Sequence, residues 1–114
     1  MAHPTSTVRA DGARDLPAQL GVAGLEAARI VDVREPDEFD GPLGHIEDAE
    51  LVPLATVAAA ASGWARDRPL VVVCRSGARS GRAAAQLAAM GFDVYNLTGG
   101  MTAWNAAGLP VVRK

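Results

Sequence analysis

Cysteine is nearly absent: Cys74 stands alone among 114 residues, so no internal disulfide can form and nothing argues for an oxidising compartment. Aromatic residues make up only 4 %, so the core must be built from Ala, Val and Leu, for which the 49 % hydrophobic content suffices. There is no basic excess. A net charge of −2 excludes the usual electrostatics of nucleic-acid or anionic-membrane binding. No stretch reaches the ~18 apolar residues of a membrane span. The opening Met1-Ala2-His3-Pro4-Thr5-Ser6-Thr7 is polar and has no apolar segment, so a cytoplasmic protein is expected. There are no internal repeats, and neither a metal nor a cofactor is expected.

The length matches one compact domain. Residues 1–14 mix Pro, Thr, Ser, Gly and charges without periodicity and read as a mobile leader, with a single domain over 15–114. Leu16, Leu20, Val22 and Leu25 suggest a short helix broken at Gly21 or Gly24. Strands are expected at Ile30–Val33, Leu51–Pro53, Leu70–Val73 and Phe92–Leu97. Helices are expected at Leu54–Ala61, from the loop after Cys74 to Gly91, and from Met101 to Ala107, with a helical turn at Glu35–Phe39 whose acids face water. Strands alternating with helices imply a parallel sheet covered on both faces, an α/β fold.

The chemistry concentrates where the apolar run Leu70-Val71-Val72-Val73 meets Cys74-Arg75-Ser76-Gly77-Ala78-Arg79-Ser80. A loop between the carboxyl end of a parallel strand and the start of a helix turns unpaired N–H groups inward and cradles anions. A cysteine at its start is held as thiolate by those dipoles and by Arg75 and Arg79, and becomes a nucleophile. A lone cysteine after three valines is ordinarily a small buried hydrophobe. Two arginines, two serines and a glycine, however, do nothing to fill a core.

This loop resembles that of the rhodanese-like sulfurtransferases, in particular the small single-domain members. Three further stretches fit in order: Val31-Asp32-Val33-Arg34-Glu35-Pro36-Asp37-Glu38-Phe39, Gly44-His45-Ile46, and Asn96-Leu97-Thr98-Gly99-Gly100-Met101-Thr102-Ala103-Trp104 continuing to Gly108-Leu109-Pro110-Val111. The resemblance implies a three-layer α/β/α domain around a parallel sheet of about five short strands. It further implies thiosulfate sulfurtransferase activity through a persulfide on Cys74, with Arg75, Ser76, Gly77, Ala78, Arg79 and Ser80 binding the substrate. Asp32 and Arg34 would brace the floor of the site as an ion pair, and His45 would have a structural role. The implied partners are a small anionic sulfur donor and a thiol, or a protein that gives or takes sulfur; no nucleic acid or membrane is involved. Two arginines in the loop favour thiosulfate over mercaptopyruvate.

Where the family usually continues Gly-His-Ile with Pro-Gly-Ala, this chain has Glu47-Asp48-Ala49, which should alter the loop backbone and lower the potential near the site. Cysteine-dependent phosphatases carry an arginine six residues after the cysteine. Here that position is Ser80, and Arg79 comes one residue early. The shorter loop suits a sulfur atom better than a tetrahedral phosphate. Outside enzymology, the same loop would serve a sulfur-relay carrier fed by a desulfurase, or a protein-binding module.

Overall fold

The computed structural model describes residue 3 and residues 5–113; of the expected leader, residues 1, 2 and 4 lie outside them. Ten elements follow in order: β1 (Thr7–Val8), β2 (Arg14–Pro17), β3 (Arg29–Asp32), α1 (Pro36–Phe39), β4 (Glu50–Leu51), α2 (Leu54–Ala61), β5 (Leu70–Val73), α3 (Ala78–Ala89), β6 (Val94–Thr98) and α4 (Gly100–Ala106). They build one six-stranded sheet in the order β1-β2-β6-β5-β3-β4. All pairings are parallel except β1 with β2, so the sheet is mixed and holds β1 and β2 in addition to the four strands placed from the sequence.

These two strands correct the reading of the amino-terminal segment. Thr7–Val8 pairs with Arg14–Asp15, so part of the expected leader is sheet edge. Leu16 is not helical either: β2 lies in register against β6, Leu16 opposite Leu97, and only a 3-10 turn at Ala18–Leu20 follows. The physical reason is partner choice. A four-residue strand with irregular apolar spacing is extended only because β6, whose paired residues lie 81 positions further along the chain, offers its ladder.

β5 sits between β6 and β3, and all four of its residues are buried, as a strand covered on both faces requires. Its side chains alternate. Leu70 and Val72 join Val31, Val33, Val57, Ala83, Ala84 and Leu87 under α2 and α3. Val71 and Val73 join Leu16, Tyr95, Leu97, Met101 and Trp104 under α4. Each buried Val or Leu of β5 contributes about 1.5–3 kcal/mol by leaving water, and this fixes β5 and so the place where its carboxyl end stops. Trp104 anchors the second layer, its indole N–H donating to the Pro110 carbonyl at 2.9 Å.

Asp48 is the one described non-glycine residue with positive φ, at 69°. It stands where the family pattern has glycine, so the exchange is absorbed by placing a side chain in the left-handed region, which Asp tolerates at modest cost. Glu47 and Asp48 line a cleft of about 730 Å³ with Trp104 and Leu109, and no residue of the 74–80 loop belongs to it. They line this cleft rather than one at the 74–80 loop. Asp48→Gly is expected to raise stability by about 0.5 kcal/mol, read as a rise in melting temperature of about 2 °C.

Candidate active site

The loop begins where β5 ends. Cys74 is 1 % exposed, and its sulfur receives hydrogen bonds from the Gly77 amide at 3.1 Å and the Ser80 amide at 3.4 Å, with the Ser80 hydroxyl at 3.3 Å. These amides converge because Gly77, at φ 109°, turns the chain sharply into α3, so the helix's first free N–H groups face back over the strand end. Burial pushes the thiol pKa up. The hydroxyl of Ser80 and the amides of Ser80, Gly77 and Ser76 outweigh it and bring the pKa below the ordinary cysteine value.

A second element clamps the loop from outside. The amides of Met101 and Thr102, in the first turn of α4, donate to the carbonyls of Cys74 at 2.9 Å and Arg75 at 3.0 Å. This close approach requires Gly99 and Gly100, whose φ values are 81° and 56°.

The expected support from Asp32 and Arg34 is present as an ion pair. Arg34, 1 % exposed, grips Asp32 through Nε and Nη2 at 2.8–3.1 Å and donates at 2.7 Å to the Gly44 carbonyl. Both residues are consumed by this bracing of the strand end against the 44–46 loop. His45 is likewise structural in its contacts. Its ring stacks on Phe39 with centroids 3.7 Å apart, Nδ1 lies 2.9 Å from the Phe39 carbonyl, and its backbone pairs with Val112.

The loop arginines differ from expectation. Arg79 is paired with Glu38, its Nη1 and Nη2 donating to the two carboxylate oxygens at 2.7 and 2.8 Å. Hydrogen bonds therefore do the lowering of the thiol pKa, although the charges of Arg79 and Cys74 still couple. Glu38 does not face water with the other acids of α1. Its Oε1 also accepts the Glu35 amide at 3.0 Å, closing a capping box. Arg75 is exposed and, with Arg34, Glu38, Pro42, Leu43 and Thr102, lines a cleft of about 430 Å³ beside the loop.

The Arg79 contact holds the Glu38 carboxyl at about 2, against an ordinary 4.5. A depressed carboxyl contributes stability that is whole above its unfolded pKa and lost as pH falls through the folded one. The bridge between α1 and α3 should thus weaken between about pH 4.5 and 2. With both side chains roughly a third exposed, the loss is about 1 kcal/mol. Denaturant titrations of wild type and Glu38→Gln across that range check this: the variant should lack that increment of acid sensitivity.

Two groups carry more than their local sequence announces. Glu38 reads as a solvated acid but pairs with Arg79. Asn96 reads as part of an apolar strand, yet it is buried, and its Oδ1 lies 2.6 Å from the Ser80 hydroxyl. A lone polar residue amid Val94-Tyr95-Asn96-Leu97 was the available signal. Among the described residues no cluster of three or more His, Cys, Asp or Glu could hold a metal, and no helix is long and apolar enough to cross a membrane.

Fold and site together define an α/β domain that presents a thiolate-stabilising loop at the carboxyl edge of its central strand. The Rhodanese-like domain profile matches residues 15–107, and the chain belongs to that family. It is 41 % identical over 83 residues to the uncharacterized protein YqhL of Bacillus subtilis, matching 72 % of this chain and 64 % of YqhL, so it spans less than two thirds of that relative. It is 39 % identical over 89 residues to the thiosulfate sulfurtransferase GlpE of Pseudoalteromonas translucida, covering 77 % of this chain and 83 % of GlpE. The crystal structure of a rhodanese-related protein from Thermoplasma volcanium superposes with a TM-score of 0.79 at 28 % identity, over 88 % of this chain and 98 % of the other.

Proposed function

We propose that the protein transfers sulfane sulfur from thiosulfate to a thiophilic acceptor through a persulfide on Cys74. The observation that carries this reading is the nest around the sulfur: two backbone amides and one hydroxyl within 3.4 Å of Sγ. Such donors stabilise negative charge on sulfur with no proton to move at the moment of reaction. The thiolate attacks the outer sulfur of thiosulfate, the S–S bond of the donor breaks, and sulfite leaves with the electron pair. The outer sulfur then carries the charge and takes up the loop's N–H groups from Arg75 to Ser80. Cyanide or a thiolate attacks it next, the Cys74–sulfur bond breaks, and the Cys74 thiolate is restored.

Arg75, exposed at the cleft, is the guanidinium available to attract the donor anion; Arg79 is neutralised by Glu38 and contributes less than its position in the loop implies. The loop length disfavours phosphoester hydrolysis, since Ser80 rather than an arginine stands six residues after Cys74. Intact mass measured before and after thiosulfate tests the proposal. A gain of one sulfur atom, lost to cyanide as thiocyanate, supports it. Loading only from a cysteine desulfurase would instead make the protein a relay carrier, and no loading from either donor would leave a binding module.

A further inference from the structure

Ser80 has a single hydroxyl proton and two acceptors within reach. Its Oγ lies 2.6 Å from Asn96 Oδ1 and 3.3 Å from Cys74 Sγ. The far side of Asn96 decides between them. There the amide group faces Asp15 Oδ1 at 3.3 Å and the Gly77 carbonyl at 3.4 Å. A carboxylate and a carbonyl only accept, so the amide nitrogen belongs on that side and Oδ1 on the Ser80 side. Ser80 must then donate to Asn96. With Ser80 at 0 % and Asn96 at 4 % exposure, neither group has ready access to water as a substitute partner.

The two charge states of Cys74 use this chain differently. As a thiol, Cys74 donates its S–H to Ser80 Oγ, which passes its own proton to Asn96, and all three groups are paired. As a thiolate, the sulfur only accepts. Ser80 must turn its proton to the sulfur, and Asn96 Oδ1 then keeps no donor among the described residues.

We propose that Asn96 is a positioning residue that holds the Ser80 proton while Cys74 is a thiol and yields it to the sulfur when Cys74 ionises. Asn96 thereby opposes the thiolate that the loop amides favour. The opposition has a use: nucleophilicity of a thiolate falls as its pKa falls, and the best attacking thiol titrates near ambient pH. The fold supplies this brake from β6 and β2. Asn96 shares a sheet face with Val72, toward α3, and Asp15, its register partner on β2, is held in turn by Arg9 at 3.6 Å.

Charged groups surround the thiol: Arg79, whose charge couples with it, Arg75 in the loop, Glu38 on α1 paired with Arg79, and the Asp32–Arg34 pair at the end of β3. Replacing the neutral Asn96 by a neutral residue alters none of them, so a change in thiol titration reports the hydrogen bond itself.

The test is the pH dependence of iodoacetamide alkylation of Cys74 in the full chain. Asn96→Leu should lower the thiol pKa by about one unit, because Ser80 is then free to donate to sulfur. Asn96→Val, which suits a buried strand, serves in its place should the leucine variant not fold. Ser80→Ala should raise the pKa by about one unit, and adding the Asn96 substitution to Ser80→Ala should change nothing further. An unchanged pKa in the folded Asn96 variant overturns the inference, as does an equal shift with and without Ser80, which would make the effect one of packing. The inference rests on the proposed function only for its use. Alkylation needs no sulfur donor, so its failure is distinct from a failure of sulfur loading.

Discussion

Cys74→Ser is expected to abolish sulfur loading while the protein stays folded. A serine hydroxyl is not ionised near neutral pH and its oxygen forms no persulfide, so the acceptor of the outer sulfur is gone. The turnover of thiosulfate to thiocyanate should fall more than ~1,000-fold, since removal of a nucleophile costs far more than removal of any supporting contact. The fold should survive because the change is small: a hydroxyl oxygen in place of Sγ still accepts from the Gly77 and Ser80 amides. The stability change should stay within about 1 kcal/mol. Intact mass after thiosulfate and a denaturant titration check both halves. A variant that still gains sulfur would remove Cys74 from the reaction, and an unfolded one would assign it to the core.

Gly100→Ala should be nearly as damaging to activity although residue 100 lies outside the 74–80 loop. A Cβ built on Gly100 runs into the Cys74 carbonyl oxygen and lies 2.6 Å from that of Arg75. Both atoms are backbone and accept hydrogen bonds from the first turn of α4, so neither can retreat without opening that clamp. Left-handed strain at φ 56° adds to the clash. The sum is a loss of about 3 kcal/mol, measurable by denaturant unfolding. The loop would be displaced with it, so the thiol pKa should rise toward the ordinary cysteine value as the Gly77 and Ser80 amides lose their aim. Unchanged stability together with an unchanged alkylation profile would show that α4 does not hold the loop.

Elements governed by local physics fall where the sequence places them, and elements that depend on distant partners do not. β5 and α2 fall at their expected residues because a run of β-branched side chains bounded by Pro69, and an alanine run ended by Ser62-Gly63, carry their own signals. Cys74 was legible for the same reason, as was the loop length that places Ser80 six residues on. β2 was misread because its extended form comes from pairing with β6 rather than from its own apolar pattern. Glu38 and Arg79 lie 41 residues apart, so nothing in either local stretch announces that one neutralises the other.

Residues adjacent along the chain carry the α/β class, the cysteine at the end of β5 and the loop of backbone donors that follows it, so these were legible without the fold. Packing alone pairs Arg79 with Glu38 and leaves Arg75 at the cleft, joins Asp32 and Arg34 to each other and Arg34 to Gly44, and sets an amide on β6 to compete for the proton of Ser80. These are choices among donors and acceptors that many pairings would satisfy. Packing alone selects one of them, by bringing β6, α1 and α3 together around the end of β5.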